Sequence, residues 1–221
     1  MQLSRSPSSV RFCLGTKQWI GFGLLILFIL IAPFLSSSAW ARRRSQRKLK
    51  IYPSPLKLQR AGVLRVGRQP KQILISPDGR KAYVTNFGGK SISVIDTKAW
   101  RVSKTMHTGG APVEIAFTPN GRYVYITNFD KVTPDGPRAG LWKIDTTTDR
   151  IVARIRGHRY PKGVVIDPNG EYVYFSSWWW PHGYLVKAHV KTNKVVQRTR
   201  VWDRPRGMAI SPDGRILYLC N

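Results

Sequence analysis

QPKQILISPDGRKAYVTN (residues 69–86), APVEIAFTPNGRYVYITN (111–128), YPKGVVIDPNGEYVYFSS (160–177) and RPRGMAISPDGRILYLCN (204–221) are one pattern written four times. Each holds a short β-rich run, a Pro-Asx-Gly turn and a second β-rich run. Proline presets φ at the first corner, Asp or Asn tolerates the second, and Gly supplies the positive φ that closes a tight hairpin. The turns are Pro77-Asp78-Gly79, Pro119-Asn120-Gly121, Pro168-Asn169-Gly170 and Pro212-Asp213-Gly214.

Outward from each hairpin comes a third β-rich run (SISVIDT, GLWKIDT, YLVKAHV), a polar turn, and a fourth (RVSKTM, RIVARI, KVVQRT). The units begin at Pro70, Pro112, Pro161 and Pro205, so the period is 42, 49 and 44 residues. Four short antiparallel strands at such a period are the signature of propeller blades. The expected fold is therefore all-β: a β-propeller with three complete blades and half of a fourth over residues 63–221. The chain reads as a fragment of a larger ring, whose missing blades come from the remainder of the chain or, alternatively, from another chain. Residues 63–67 (VLRVG) read as a fourth strand that would complete the last blade.

The distance from the leading Pro to the end of the second strand is 16 residues in every unit, as in Pro70 to Asn86. From the third-strand marker to the next Pro it is again 16, for Asp96, Asp145 and His189. All variation falls between strands two and three, where the gaps are 10, 17 and 12 residues. The loop between strands two and three and the connection from strand four to the next blade open on the same rim. Variable loops on a fixed scaffold are where binding sits. Asp96, Asp145 and His189 are expected to brace the turn after strand three.

YVTN at Tyr83–Asn86 and YITN at Tyr125–Asn128, with SPDG before and VIDT after, resemble the YVTN family of β-propeller repeats. The resemblance covers residues 63–221. Tyr174–Ser177, Tyr218–Asn221 and His189 depart from its motif. It implies a repeat propeller, and some proteins with similar propellers are lactonases, lyases or redox subunits.

The remaining sequence concerns address. Trp19–Leu35 is an uncharged apolar run, preceded by Arg5, Arg11 and Lys17 and followed by Ala39-Trp40-Ala41. That is the layout of a secretory signal, and 17 residues is also the lower edge for a membrane-spanning helix. Residues 1–41 are thus expected to be an apolar helix acting as signal peptide or anchor. Residues 42–62 read as a basic, Pro-containing linker. Its Arg and Lys, directly after the apolar run, favour a cytoplasmic body by the positive-inside bias. The Ala-x-Ala site and the loop-rich body favour export, so the expected location is extracytoplasmic, in the periplasm or at the cell surface.

Net charge is +26, and eleven of the 37 Lys and Arg lie in residues 1–60, where no acidic residue occurs. The body is still strongly basic, which predicts attraction to polyanions (phosphate backbones, anionic lipid headgroups or acidic envelope polymers) without choosing among them. The expected partner is a protein or an envelope polymer, with membrane association through the N-terminus, and nucleic acid, which rests on charge alone, is not expected. Cys13 and Cys220 form no metal or haem motif. Nor does a GxSxG elbow, HExxH or phosphate-cradling loop occur, so no cofactor or metal is implied.

Three groups of residues stand out as binding candidates. Trp178, Trp179 and Trp180, with His182, occupy the third blade's loop after strand two. Three adjacent tryptophans cannot all face inward from a strand, so at least one is expected to be exposed. His158 and Arg159 precede Pro161 on the same rim. Lys71, Lys162 and Arg206 each follow a leading Pro at the mouth of an innermost strand, where three cations favour an anionic guest, with Glu114 as the nearby acid. An enzymatic reading would recruit His158, His182 and Glu114.

Overall fold

The computed structural model describes residues 62–130, 139–157 and 159–221. The signal or anchor segment and all but the last residue of the linker lie outside these residues. Among them, every regular element is a strand.

Blade one is β1 (Pro70–Ile75), β2 (Lys81–Asn86), β3 (Ser91–Asp96) and β4 (Arg101–His107). Blade two is β5 (Ala111–Phe117), β6 (Tyr123–Phe129), β7 (Gly140–Asp145) and β8 (Arg150–Ile155). Blade three is β9 (Pro161–Ile166), β10 (Tyr172–Ser177), β11 (Gly183–His189) and β12 (Val195–Val201), and β13 (Met208–Ile210) pairs with β14 (Leu217–Leu219). Each full sheet is an antiparallel meander in the order first, second, third, fourth. The Pro-Asx-Gly hairpins form as their chemistry requires: Gly79, Gly121, Gly170 and Gly214 take φ between 68° and 72°. Asp78 Oδ1 accepts from the Arg80 N–H at 3.1 Å, and Asn120 and Asp213 repeat the bond.

Side chains alternate between the two faces of each sheet, and in the inner strands β2, β3, β6 and β7 both faces are buried. One face of blade one (Tyr83, Ile92, Val94, Met106) packs on Ile115, Val124, Ile126 and Ile144 of blade two. The other face of blade two (Tyr125, Leu141, Ile155) packs on Val164, Val173, Phe175 and Val186 of blade three. Leu185 and Val201 of blade three then meet Leu217 and Leu219.

The first strands lie side by side: β1 beside β5, β5 beside β9, β9 beside β13. A hydroxyl fixes each step. Thr85 Oγ1 accepts from Gln72 N–H within its own blade and donates to Val113 O of the next at 2.9 Å. Thr127 does the same between Glu114 N–H and Lys162 O, and Ser176 between Gly163 N–H and Arg206 O. The third letter of the repeated YVTN-like motif is thus a blade-to-blade clasp, and serine keeps the function where the motif departs. The strands approach so closely that a Cβ on Gly163 would stand 2.1 Å from Arg206 O.

The turn brace is confirmed in all three blades. Asp96 Oδ1 accepts from Lys98 and Ala99 N–H, and Asp145 Oδ1 from Thr147 and Thr148 N–H. His189 Nδ1 accepts from Lys191 and Thr192 N–H.

One expectation needs correction: residues 63–67 form no strand. Leu64 and Val66 instead lie on the face of blade one turned away from blade two, against Ala82, Val84 and Ile95. On that same blade Ile73 and Ile75 are 58% exposed, although their counterparts Ile115 and Phe117 pack in the interface between blades one and two.

Candidate functional site

An antiparallel meander puts its first and third links on one rim and its second link, with the connection to the next blade, on the other. The latter rim gathers the candidate residues. Its loops are tied by main-chain bonds: Phe87 N–H to Gln69 O, Trp178 N–H to Tyr160 O, Tyr160 N–H to Asp130 O and Arg204 N–H to Trp179 O. Gln69, Tyr160 and Arg204, the residues before three of the leading prolines, hold φ of 50° to 52°. Non-glycine residues enter that left-handed region at a cost, so the surrounding bonds must hold them there.

The residue directly after each motif is aromatic in the three full blades: Phe87, Phe129 and Trp178. Blade stacking brings them into a row, with centroids 6.4 Å apart for Phe87 and Phe129 and 6.0 Å for Phe129 and Trp178. Tyr160 packs 4.9 Å from Phe129 and stacks on Trp179 at 5.5 Å with planes 14° apart. Of this group, Trp178 and Trp179 were singled out from the sequence, but Phe87, Phe129 and Tyr160 were not. The repeated aromatic after each motif was the available signal, but its meaning depends on neighbouring blades.

Cations sit on the row. Lys162 Nζ lies 5.5 Å from the centroids of both Phe129 and Trp178, Arg159 is 5.2 Å from Trp179, and Arg204 is 5.7 Å from Trp178. These are distances at which an aromatic face attracts a cation. Lys71, Lys162 and Arg206 share one register position, directly after the leading Pro, on β1 and β9, which β5 separates, and at the approach to β13. Lys162 has its pKa lowered, first by burial and then by the positive charges of Arg206 and Lys71, with Glu114 opposing. The positive charges of Arg206 and Lys71 thus act on Lys162 across neighbouring blades.

Glu114 has a defined structural task. Its Oε2 accepts from Val164 N–H of the next blade at 3.3 Å, and Gln72 at the matching position accepts from Ile115 N–H at 2.6 Å. A neutral amide does the same work in blade one, so the latch does not require the charge. Burial pushes the Glu114 carboxyl above its usual range, opposed by the Val164 bond and Lys162.

The three tryptophans divide as their spacing requires. Trp180 is 65% exposed, while Trp178 and Trp179 are half-buried, and the Trp180–Pro181 peptide is cis. Trp178 Nε1 is buried without a hydrogen-bond partner among the described residues. His182 is half-buried in the same loop. His158 lies outside the described residues, as do residues 131–138 of the long loop in blade two. Among the described residues, no three His, Cys, Asp or Glu side chains come together in a way that could hold a metal ion.

No protein-family model matches the sequence, and no curated protein matches it. Among solved structures the chain is similar to one described as Kuenenia stuttgartiensis hydrazine synthase, with a TM-score of 0.60 and 22% identity. The match covers 72% of this chain and 44% of that one, so the chain spans less than half of its length. The fold is a β-propeller arrangement. Likeness at that identity extends to the fold alone, and the chemistry of this propeller must be argued from its own residues.

Proposed function

We propose that the chain is a YVTN-type propeller of the cell envelope that works by binding, and that its variable rim seats an anionic partner at the mouth of the first strands. One observation carries this reading: Lys71, Lys162 and Arg206 occupy the same place after the leading Pro of their blades, and Lys162, half-buried against Phe129 and Trp178, feels the other two charges with Glu114 as the opposing carboxylate. Like charges held together in a partly dry site are relieved by an incoming anion. The aromatic row beneath Lys162 fixes the ammonium in place and offers flat apolar surface beside the charge. Export or anchoring through the N-terminal run would put this rim among anionic envelope polymers and lipids.

The test is a titration of the full-length protein with polygalacturonate at low salt, against a Lys71→Ala/Lys162→Ala/Arg206→Ala variant. The expected result is saturable binding that weakens by roughly tenfold or more in the variant and falls with added salt. Equal affinity for the two proteins would refute the seat.

A further inference from the structure

Trp180 and Trp202 are 65% and 66% exposed, whereas Trp142 in the core is 3% exposed. They stand on two adjoining loops of the variable rim, the link between β10 and β11 and the connection leaving β12. Main-chain bonds join these loops: Gly183 N–H to Trp202 O at 3.2 Å and Arg204 N–H to Trp179 O at 3.1 Å. The two loops that carry the exposed indoles are thus braced against each other. Exposed arginines lie on the same rim: Arg159, Arg204 and Arg206. Asp203 lies 3.9 Å from Arg204 in a half-exposed pair, which is weak compensation.

Indole has one apolar body and one polar N–H, and it partitions to the headgroup level of a bilayer. Guanidinium groups beside it pair with phosphate oxygens in bidentate geometry. Two exposed indoles on a rim with exposed arginines therefore match the chemistry of an anionic membrane surface. The sequence supplies an independent reason for a bilayer to be close: the apolar run Trp19–Leu35 is followed at once by Arg42, Arg43, Arg44, Arg47, Lys48 and Lys50.

We infer that the Trp180–Trp202 platform docks on an anionic lipid surface and that the anion taken at the rim is a lipid headgroup phosphate. This rests on the anion-binding reading above and names the ligand of that same rim. A soluble acidic polymer shares the anionic chemistry but lacks an interface for the indoles to enter.

The experiment uses the full chain reconstituted into vesicles of phosphatidylcholine alone or mixed with phosphatidylglycerol, with brominated acyl chains as quenchers of tryptophan emission. The N-terminal tryptophans contribute equally in every variant, so differences report the platform. In the anionic vesicles, Trp180→Ala/Trp202→Ala is expected to lose the quenchable emission carried by two of the eight tryptophans. Trp100→Ala, which removes an exposed indole from the opposite rim, is expected to leave the quenchable emission unchanged. The loss should shrink in pure phosphatidylcholine and at high salt. The inference is overturned if the double variant is quenched as fully as the wild type. It is equally overturned if the double variant loses polygalacturonate affinity while lipid quenching stays the same, since the indoles would then serve a glycan. Failure of the anion seat itself reads differently: the triple cation variant would keep its polygalacturonate affinity.

Discussion

The two rims of the propeller are built to opposite rules. On the hairpin rim every blade repeats the same turn, and the turns interlock: Gly121 sits on Pro77, Gly170 on Pro119 and Gly214 on Pro168. Asp78, Asn120 and Asp213 close these turns with the same bond. On the variable rim the links between second and third strands differ in length from blade to blade, and the rings of Phe129, Trp178 and Trp179 carry lysine and arginine. Identical geometry selects identical residues on the first rim. The second is free to diverge because the clasps through Thr85, Thr127 and Ser176 already fix the blades.

If that division holds, changes to the blade interfaces should reduce stability, and changes to the variable rim should reduce binding. The largest effect is expected for Tyr83→Ala. Tyr83 is fully buried, meets Phe117 edge to face at 5.6 Å, and donates its hydroxyl hydrogen bond to Asp149 of blade two. Truncating a ring of that size in a packed interface costs about 3–5 kcal/mol, read as a lower urea midpoint. A loss below about 1 kcal/mol would mean that the interface between blades one and two contributes little.

A smaller loss is expected for Thr127→Val, which keeps the shape but removes the clasp. Glu114 N–H and Lys162 O then lose their partner inside the protein, at about 1–3 kcal/mol. Thermal unfolding should show the drop, and Thr127→Ser should restore most of it because Ser176 already performs the same task. Equal losses for valine and serine would place the effect in packing instead of the hydroxyl.

The smallest stability change belongs to Glu114→Gln. The raised pKa means that the folded state holds the Glu114 proton more tightly than the unfolded chain. The stability this supplies is present at low pH and is lost as pH rises from the usual carboxylate range through the raised value. Glutamine keeps the latch to Val164, as Gln72 does to Ile115, and should make that pH dependence flatter. Acidification also removes the one negative charge facing Lys162, so wild-type affinity for a polyanion should increase as pH falls and change less in the variant. Urea unfolding and a polyanion titration, each at two pH values on either side of the usual carboxylate range, check the two signs.

How much of this was legible in the sequence follows from how local each cause is. The hairpins were readable because Pro77, Asp78 and Gly79 meet the φ demands of one turn within three residues. The turn braces at Asp96, Asp145 and His189 were readable for the same reason. The Thr85 clasp was not, since its acceptor Val113 belongs to the next blade. Glu114 was readable as an acid near cations, but its latch to Val164 depends on how two blades meet. Residues 63–67 carry strand-like residues, yet without a pairing partner they pack as side chains on blade one. The shared position of Lys71, Lys162 and Arg206 was legible from register alone, because equal spacing after the leading Pro puts them at equivalent places in their blades.

The most direct measurement compares two triple variants of equal charge in the same polygalacturonate titration. One is Lys71→Ala/Lys162→Ala/Arg206→Ala on the variable rim. The other is Arg80→Ala/Lys98→Ala/Arg215→Ala, which removes three exposed cations from the hairpin rim. The two-rim account predicts that the first set loses affinity by roughly tenfold while the second stays close to wild type. Equal losses in both would mean that the polymer responds only to net charge, and would contradict a seat at the mouth of the first strands.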